Sequence, residues 1–387
     1  MEIREGYKKT EVGIIPKEWE VINIGEIVKS ISSGKSKTQT QKRGSIPIYG
    51  STGLIGLCIK PDYEGEKILV ARVGANAGTI YCVNGKYCVS DNTLIIQVGN
   101  KIDFKYLYNF LRYYNLNKMV FGSGQPLITG TQLKNLHTPV PTLHEQQAIA
   151  TALSDVDFLI SSLKKLIDKK ERIKQGIMQE LLMPKENWMQ RTLGETATLK
   201  ARIGWQGLTT VEYKDSGEYF LITGTDFKKG KIDWSNCHYV DMHRYIQDKN
   251  IQVKEKDILV TKDGTLGKVA FINTLPKPAT LNSGVFVIRP LEQSFYPEFF
   301  YYILLSNVFT EFLTQLSAGS TIIHLYQKDF VNFQFFMPPT LEEQAYIAAV
   351  LSDLDMEIEK LEQKLFKYKE IKQGMMQELL SGSIRLV

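Results

Sequence analysis

The sequence predicts an α+β protein: two globular domains of α/β type, separated by two long helices that form an antiparallel coiled coil, with a pseudo-twofold internal repeat. Three observations predict it. PTLHEQQAIATALSDVDFLI (141–160) returns as PTLEEQAYIAAVLSDLDMEI (339–358), and IKQGIMQELL (173–182) as IKQGMMQELL (371–380), both 198 residues apart. Two blocks in one register, with no gap between them, mark a duplicated unit of about half the chain. Each copy carries a heptad seam, with Ile149, Leu153, Val156, Ile160, Leu163 and Ile167 in the first and Ile347, Leu351, Leu354, Ile358, Leu361, Leu365 and Tyr368 in the second. The segments between the helices mix short β-branched and aromatic strands with at least one helix-like stretch.

Each helix begins just after a proline and carries an early acid, Glu145 in the first and Glu342 and Glu343 in the second, as a helix N-terminus favours. The first stops before Pro184 and the second before Ser381-Gly382. About 40 residues at roughly 1.5 Å each give rods on the order of 60 Å long. A stripe of that length needs a partner, and the matching stripe lies in the same chain. The globular segment between them is long enough to turn the chain round, which makes the pairing antiparallel. Gly176 and Gly374 occupy equivalent places inside the helices, where a close helix crossing would account for them.

The globular segments echo each other more faintly. Trp19 to Gly25-Glu26 matches Trp188 to Gly194-Glu195. KILVARVGANAG (67–78) resembles DILVTKDGTLG (257–267), SDNTLIIQV (90–98) resembles LNSGVFVIRP (281–290), and FKYLYNFL (104–111) resembles EFFYYILL (298–305). Divergent loops on a shared scaffold suggest two different ligands. The boundaries expected are residues 1–140 for the first domain with its N-terminal arm and 141–183 for the first helix. Residues 184–338 form the second domain, and 339–387 the second helix and tail.

Charge is uneven. The chain has 387 residues and net charge +5, yet residues 27–144 hold fourteen Lys/Arg against five Asp/Glu. Residues 27–61 contain Lys29, Lys35, Lys37, Lys42, Arg43 and Lys60 and no acid. Unopposed positive charge attracts a polyanion and gains from counterion release, although a solvated basic face has the same composition. Residues 188–338, with sixteen basic and fifteen acidic groups, are almost neutral.

Catalytic constellations are missing. Asp62, Glu64, Glu66 and Lys67 lie too close together for a metal-dependent nuclease, and Met337-Pro338-Pro339-Thr340 is not an amino-methyltransferase tetrapeptide. DGTLGK (263–268) and GTDFKKGK (224–231) miss the phosphate-loop spacing. Cys237, His238 and His243 lack a second ligand pair at zinc spacing, and the four cysteines form no CxxC. No apolar run approaches the roughly 18 residues of a membrane span, and the start has no signal-like core, so a reducing, cytoplasmic setting is expected.

The opening GYKKTEVGIIPKEW (6–19), the PTLHEQQAIA and PTLEEQAYIA boxes and the duplicated IKQG(I/M)MQELL blocks resemble the specificity subunit of type I restriction-modification systems, over nearly the whole chain. The resemblance implies a non-catalytic, DNA-reading scaffold with two target-recognition domains held by an antiparallel helix pair. It would bind two modification subunits, which carry S-adenosylmethionine and methylate adenine at N6, and two restriction subunits, which use ATP and Mg to translocate and cut DNA. No cofactor would be bound by this chain. The competing reading, a coiled-coil adaptor that binds only protein, explains the heptads but not the basic first domain.

Base or phosphate contacts are expected in polar, Gly-bordered loops. In the first domain the candidates are Lys35, Lys37, Gln39, Gln41, Lys42 and Arg43, then Arg72 and Asn76, then Ser123 and Gln125. In the second they are Arg202, Trp205 and Gln206, then Thr225, Asp226 and Lys228, then Lys262 and Asp263. Arg and Lys suit guanine, Asn and Gln suit adenine, and Asp accepts from cytosine.

Overall fold

A computed structural model describes residues 3–35, 44–122, 124–203, 207–317 and 324–387. The chain divides into two compact units, Met1–Leu166 with Leu361–Val387, and Ile167–Lys360. Each unit takes part of both long helices, Leu143–Leu181 and Leu341–Leu380.

In the first unit the hairpin Tyr7–Thr10 with Gly13–Pro16 forms the N-terminal arm. Glu20–Asn23 then pairs antiparallel with His137–Val140, which closes the recognition domain where the first long helix starts. Within that closure runs an antiparallel sheet in the order Val28–Ser33, Thr93–Val98, Lys67–Ala71, Ile80–Val83. Ile68, Leu69, Val70 and Ala71 are all buried because the sheet is covered on both faces. Period-two alternation sorts them: Ile68 and Val70 meet Tyr106, Leu107 and Phe110 of the helix Phe104–Tyr114, while Leu69 packs with Val83, Tyr87 and Val89. Tyr87 and Val89 belong to a second sheet, ordered Gly53–Cys58, Ile46–Gly50, Lys86–Val89, Tyr63–Glu64, whose central pair is parallel.

The second unit repeats this plan. Met189–Thr192 pairs with Gln334–Met337 to close the domain. The main sheet runs Ala197–Ala201, Val285–Pro290, Ile258–Thr261, Val269–Phe271. The smaller one runs His238–Val240, Tyr219–Ile222, Ala279–Leu281, again with one parallel pair. The helix Pro297–Leu305, with Pro at its first turn, covers the main sheet and is followed by a second helix, Asn307–Ser317. The faint echoes in the sequence therefore mark shared strands and a shared helix. For the helix the equivalence is one residue off the sequence pairing, since Phe104 and Pro297 are the first residues of the two helices.

The two long helices are Leu143–Leu181 and Leu341–Leu380. The side chains of Thr142 and Thr340 accept from the backbone N–H groups of Glu145 and Glu343, capping each start. In the first unit Ile149, Ala150 and Leu153 share a core with Met376, Leu379 and Leu380. In the second, Ile347, Ala348 and Leu351 share one with Ile177, Met178 and Leu181. In both, the beginning of one helix meets the end of the other, so the pairing is antiparallel. Polar ties follow the same rule: Lys372 binds Asp157 at 2.6 Å, and Lys174 binds Asp355 at 2.5 Å. Asp355 and Lys372 stand 198 residues after Asp157 and Lys174, so these two ion pairs are one interaction repeated. Gly176 and Gly374 do not mark a close crossing: among the described residues a Cβ at either would meet nothing within 4 Å, and nothing there explains them.

The Lys372 side chain is 9% exposed and its ammonium hydrogen-bonds both carboxylate oxygens of Asp157, while burial pushes its pKa down. Asp157→Ala is expected to destabilise the first unit by about 1–3 kcal/mol, because it leaves a buried cation unpaired, and adding Lys372→Met should recover most of the loss. Urea unfolding of the single and double variants measures both effects.

Candidate nucleic-acid interface

In both domains one main-sheet strand ends in a glycine-bordered turn, a residue shorter in the second domain. After Lys67–Ala71 the chain turns through Gly74 and Gly78, and after Ile258–Thr261 through Gly264 and Gly267; all four have φ between +70° and +86°. The later glycine of each pair also has no room for a Cβ, which would approach Asn117 in one domain and Leu313 in the other within 2.5 Å. The turn is thus pressed onto the segment after the domain's helix. That packing brings loops distant in sequence to one end of each domain.

In the first domain, Arg72 donates its backbone N–H to Asn92 and accepts from Ile128, and Gly74 donates to Pro126. Lys35 donates its backbone N–H to Val89, and the Arg72 guanidinium reaches the Ser33 hydroxyl at 3.5 Å. The sequence candidates Lys35, Arg72, Asn76 and Gln125 therefore stand on loops tied together, with Asn76 and Gln125 exposed. Phe121, 51% exposed, joins them; its backbone pairs with Leu127 at the base of the Gly-bordered turn. The basic run is not wholly unopposed. Asp62 folds back onto Lys35, and this hydrogen bond holds the ammonium pKa above its usual value. Lys37, Gln39, Gln41, Lys42, Arg43 and Ser123 lie outside the described residues.

In the second domain, Lys262 donates its backbone N–H to Gly284 and accepts from Leu325, the counterparts of the Arg72 bonds. Its ammonium lies over the Phe286 ring at 5.4 Å. Asp263 pairs with His324, and the Lys268 ammonium holds the Gly224 carbonyl, which brings the Thr225 loop to the same end. Thr225 and Lys228 are exposed, and Lys228 reaches Asp233 at 3.2 Å. Trp205 and Gln206 lie outside the described residues.

Two candidates are corrected. Arg202 is 1% exposed: its guanidinium donates to the Leu281 carbonyl, the Thr280 hydroxyl and the Gln247 side chain. Burial lowers its pKa, as does neighbouring Arg244, which shares Gln247 and draws the Glu212 carboxyl down to about 2. It braces two strands from beneath the loops. Asp226, equally buried, accepts from the Thr223 backbone and hydroxyl and from Asn236, shaping its own turn. Neither offers an edge to a base. Sequence position could not separate them from exposed neighbours, because loop residues of identical type differ only in which way they point.

The boxes that carried the resemblance serve the join between domain and helix. The Gln146 amide accepts from the backbone N–H of Asp103 at 2.7 Å and donates to the Pro141 carbonyl at 2.9 Å. Gln344 does the same with Tyr296 and Pro338, at 2.8 and 2.9 Å. Glu145 is fully buried, accepting from the Trp19 indole at 3.0 Å and from Arg385, which also reaches Glu18. Tyr7 donates to the Gly382 carbonyl, so arm and tail are clasped together. The counterpart Glu343 binds Lys185 instead, and among the described residues the buried Trp188 indole nitrogen has no hydrogen-bond partner. Nothing in the sequence spacing pointed to the Arg385 clasp.

Among the described residues no group of three or more His, Cys, Asp and Glu is placed to hold a metal ion, and no helix is long and apolar enough to cross a membrane. Cys237, set aside as a zinc ligand, is buried, and burial pushes its thiol pKa up.

Each unit thus holds a domain closed onto parts of both long helices, with polar loops gathered at one end. The family model for the type I restriction modification DNA specificity domain matches residues 16–175 and again 185–368, so the chain belongs to that family. It is similar to the putative type I restriction enzyme MjaX specificity subunit of Methanocaldococcus jannaschii, 27% identical over 99% of this chain and 97% of the relative. The MjaVIII specificity subunit of the same organism is 26% identical over 99% and 96%. Among solved structures, the S subunit of a type I restriction-modification system from M. genitalium aligns with a TM-score of 0.67, 16% identity and 98% of each chain. A chain from work on complex assembly and conformational transition of the type I R-M system aligns with a TM-score of 0.57, 16% identity, 96% of this chain and 99% of that one. At these identities the structural likeness is one of fold.

Arg202→Ala should cost about 1–3 kcal/mol of stability, because it strands buried acceptors, whereas Arg72→Ala should change stability by less than about 0.5 kcal/mol. Thermal or denaturant unfolding of the two variants, side by side, checks the assignment.

Proposed function

We propose that this chain is the DNA-reading subunit of a type I restriction-modification complex, in which each recognition domain reads one half of a bipartite, asymmetric site. The supporting observation is that corresponding strand–turns, one residue shorter in the second domain, present unlike residues: Arg72 and Asn76 in one, Lys262 and Asp263 in the other. A twofold scaffold with unlike tips suits unlike half-sites. Arg72 suits guanine and Asn76 adenine; Lys262 suits guanine and Asp263 accepts from cytosine. Gln125, Thr225 and Lys228 flank them, while Lys35, Lys37, Lys42 and Arg43 bind phosphate.

The helix pair sets the spacing of the half-sites and docks two modification subunits, and through them two restriction subunits. Exposed apolar side chains on the helices support docking: Phe158 is 72% exposed and Phe366 66%. S-adenosylmethionine, ATP and Mg belong to those partners, and methylation and cleavage are theirs; this chain contributes the address. Its setting is the cytoplasm.

Two outcomes follow. Changing Lys35, Lys37, Lys42 and Arg43 together to Ala should weaken DNA binding and flatten its salt dependence, by roughly 0.9 in log–log slope for each phosphate the variant no longer neutralises; an unchanged slope means the run is only a solvated face. Inserting four residues, one turn of about 5.4 Å, into the middle of one long helix should keep both half-sites and lengthen or shorten the spacer by one to two base pairs of about 3.4 Å. Sequencing of methylated sites reads both half-sites and spacer, and altered half-sites would refute the separation of reading from spacing.

A further inference from the structure

Gln146 and Gln344 are each 1% exposed, and each spends both ends of its amide on backbone. The oxygen accepts from the N–H of the residue preceding the domain's helix, Asp103 or Tyr296. The nitrogen donates to the carbonyl of the proline-bearing link that enters the long helix, Pro141 or Pro338. An amide both accepts and donates from one planar group without any change of protonation. Asp103 uses its own carboxylate to cap Tyr106, so the restrained N–H is the first point of a rigid helix. The same pair of backbone bonds occurs twice, in copies whose loops have diverged, with the accepting carbonyl one residue earlier in the second.

We propose that Gln146 and Gln344 are positioning residues for spacer measurement: they lock the angle between each recognition domain and its long helix, and thereby the half-site separation the protein accepts. This rests on the reading of the helix pair as the spacing device. The lever is short but sufficient. Angular play of several degrees, over a domain radius on the order of 15–25 Å, moves a loop tip by an appreciable part of the ~3.4 Å rise of one base pair. A domain free to rock would tolerate neighbouring spacers while its loops still read the same bases.

The test uses the full chain in complex with its modification subunit. DNA substrates carry the two wild-type half-sites, as found by sequencing methylated sites, at the native spacer and at one base pair fewer or more. Gln146→Leu and Gln344→Leu should raise methylation of the off-length substrates relative to the native one by roughly tenfold, the scale of losing two buried hydrogen bonds. Discrimination against a changed base within either half-site should stay as in wild type. Gln146→Glu and Gln344→Glu keep the acceptor and lose the donor, so they should widen the spacer profile less than Leu. A purely structural role lowers methylation equally at all three spacers together with thermal stability, and that result overturns the proposal. So does failure of both the Leu and the Glu variants to assemble, which would assign the amides to folding alone. Wild-type protein that ignores spacer length would instead contradict the reading of the helices as the spacing device.

Discussion

The antiparallel seam between the two long helices is the interaction on which everything else depends. Each compact unit draws its helical part from both helices, so each recognition domain completes its core only when residues some 200 positions away in the chain return to it. In the first unit Ile149 and Leu153 need Met376 and Leu380; in the second Ile347 and Leu351 need Ile177 and Leu181. Apolar cores shared at both ends of the pair hold the helices together, and the repeated Asp–Lys ties, Asp157 with Lys372 and Asp355 with Lys174, fix the register. Sliding one helix by a turn would separate both ion pairs at once.

From that seam the function acquires its division of labour. The parts that repeat faithfully — the Thr caps, the Gln clamps, the closing strand pairs and the ion pairs — are scaffold. The parts that differ are the strand–turns and the loops tied to them. Duplication of a half-molecule followed by divergence of its loops yields a single chain with an internal repeat and two unlike sets of loops, which a true homodimer cannot have. The halves also differ in how they are closed: Arg385 and the tail seal Glu145 and Trp19 in the first, while Glu343 turns outward to Lys185 in the second.

What was legible in the sequence is what repeats or has a period. The 198-residue offset, the heptads and the helix starts at Thr142 and Thr340 are periodic or local signals, and they set the architecture and the helix ends closely. The strand–turn with its glycines was visible because left-handed backbone demands glycine. Long-range polar partnerships were not legible. Asp62 on Lys35, Arg202 beneath its loop, and Arg385 on Glu145 join residues whose separation in sequence carries no pattern. The helix glycines misled for the opposite reason: equivalence in the two copies suggested a close crossing, yet both face open space. Candidate site residues shared the same limit, since composition marks a loop as polar without saying which side chains point outward.

Sequencing of methylated adenines in a host carrying the modification subunit, with and without this chain, tests the central claim most directly. The account predicts methylation that appears only with the chain present, at one asymmetric site made of two unlike half-sites separated by a spacer of fixed length. Methylation at a contiguous site, at a palindrome, or independent of the chain would contradict it.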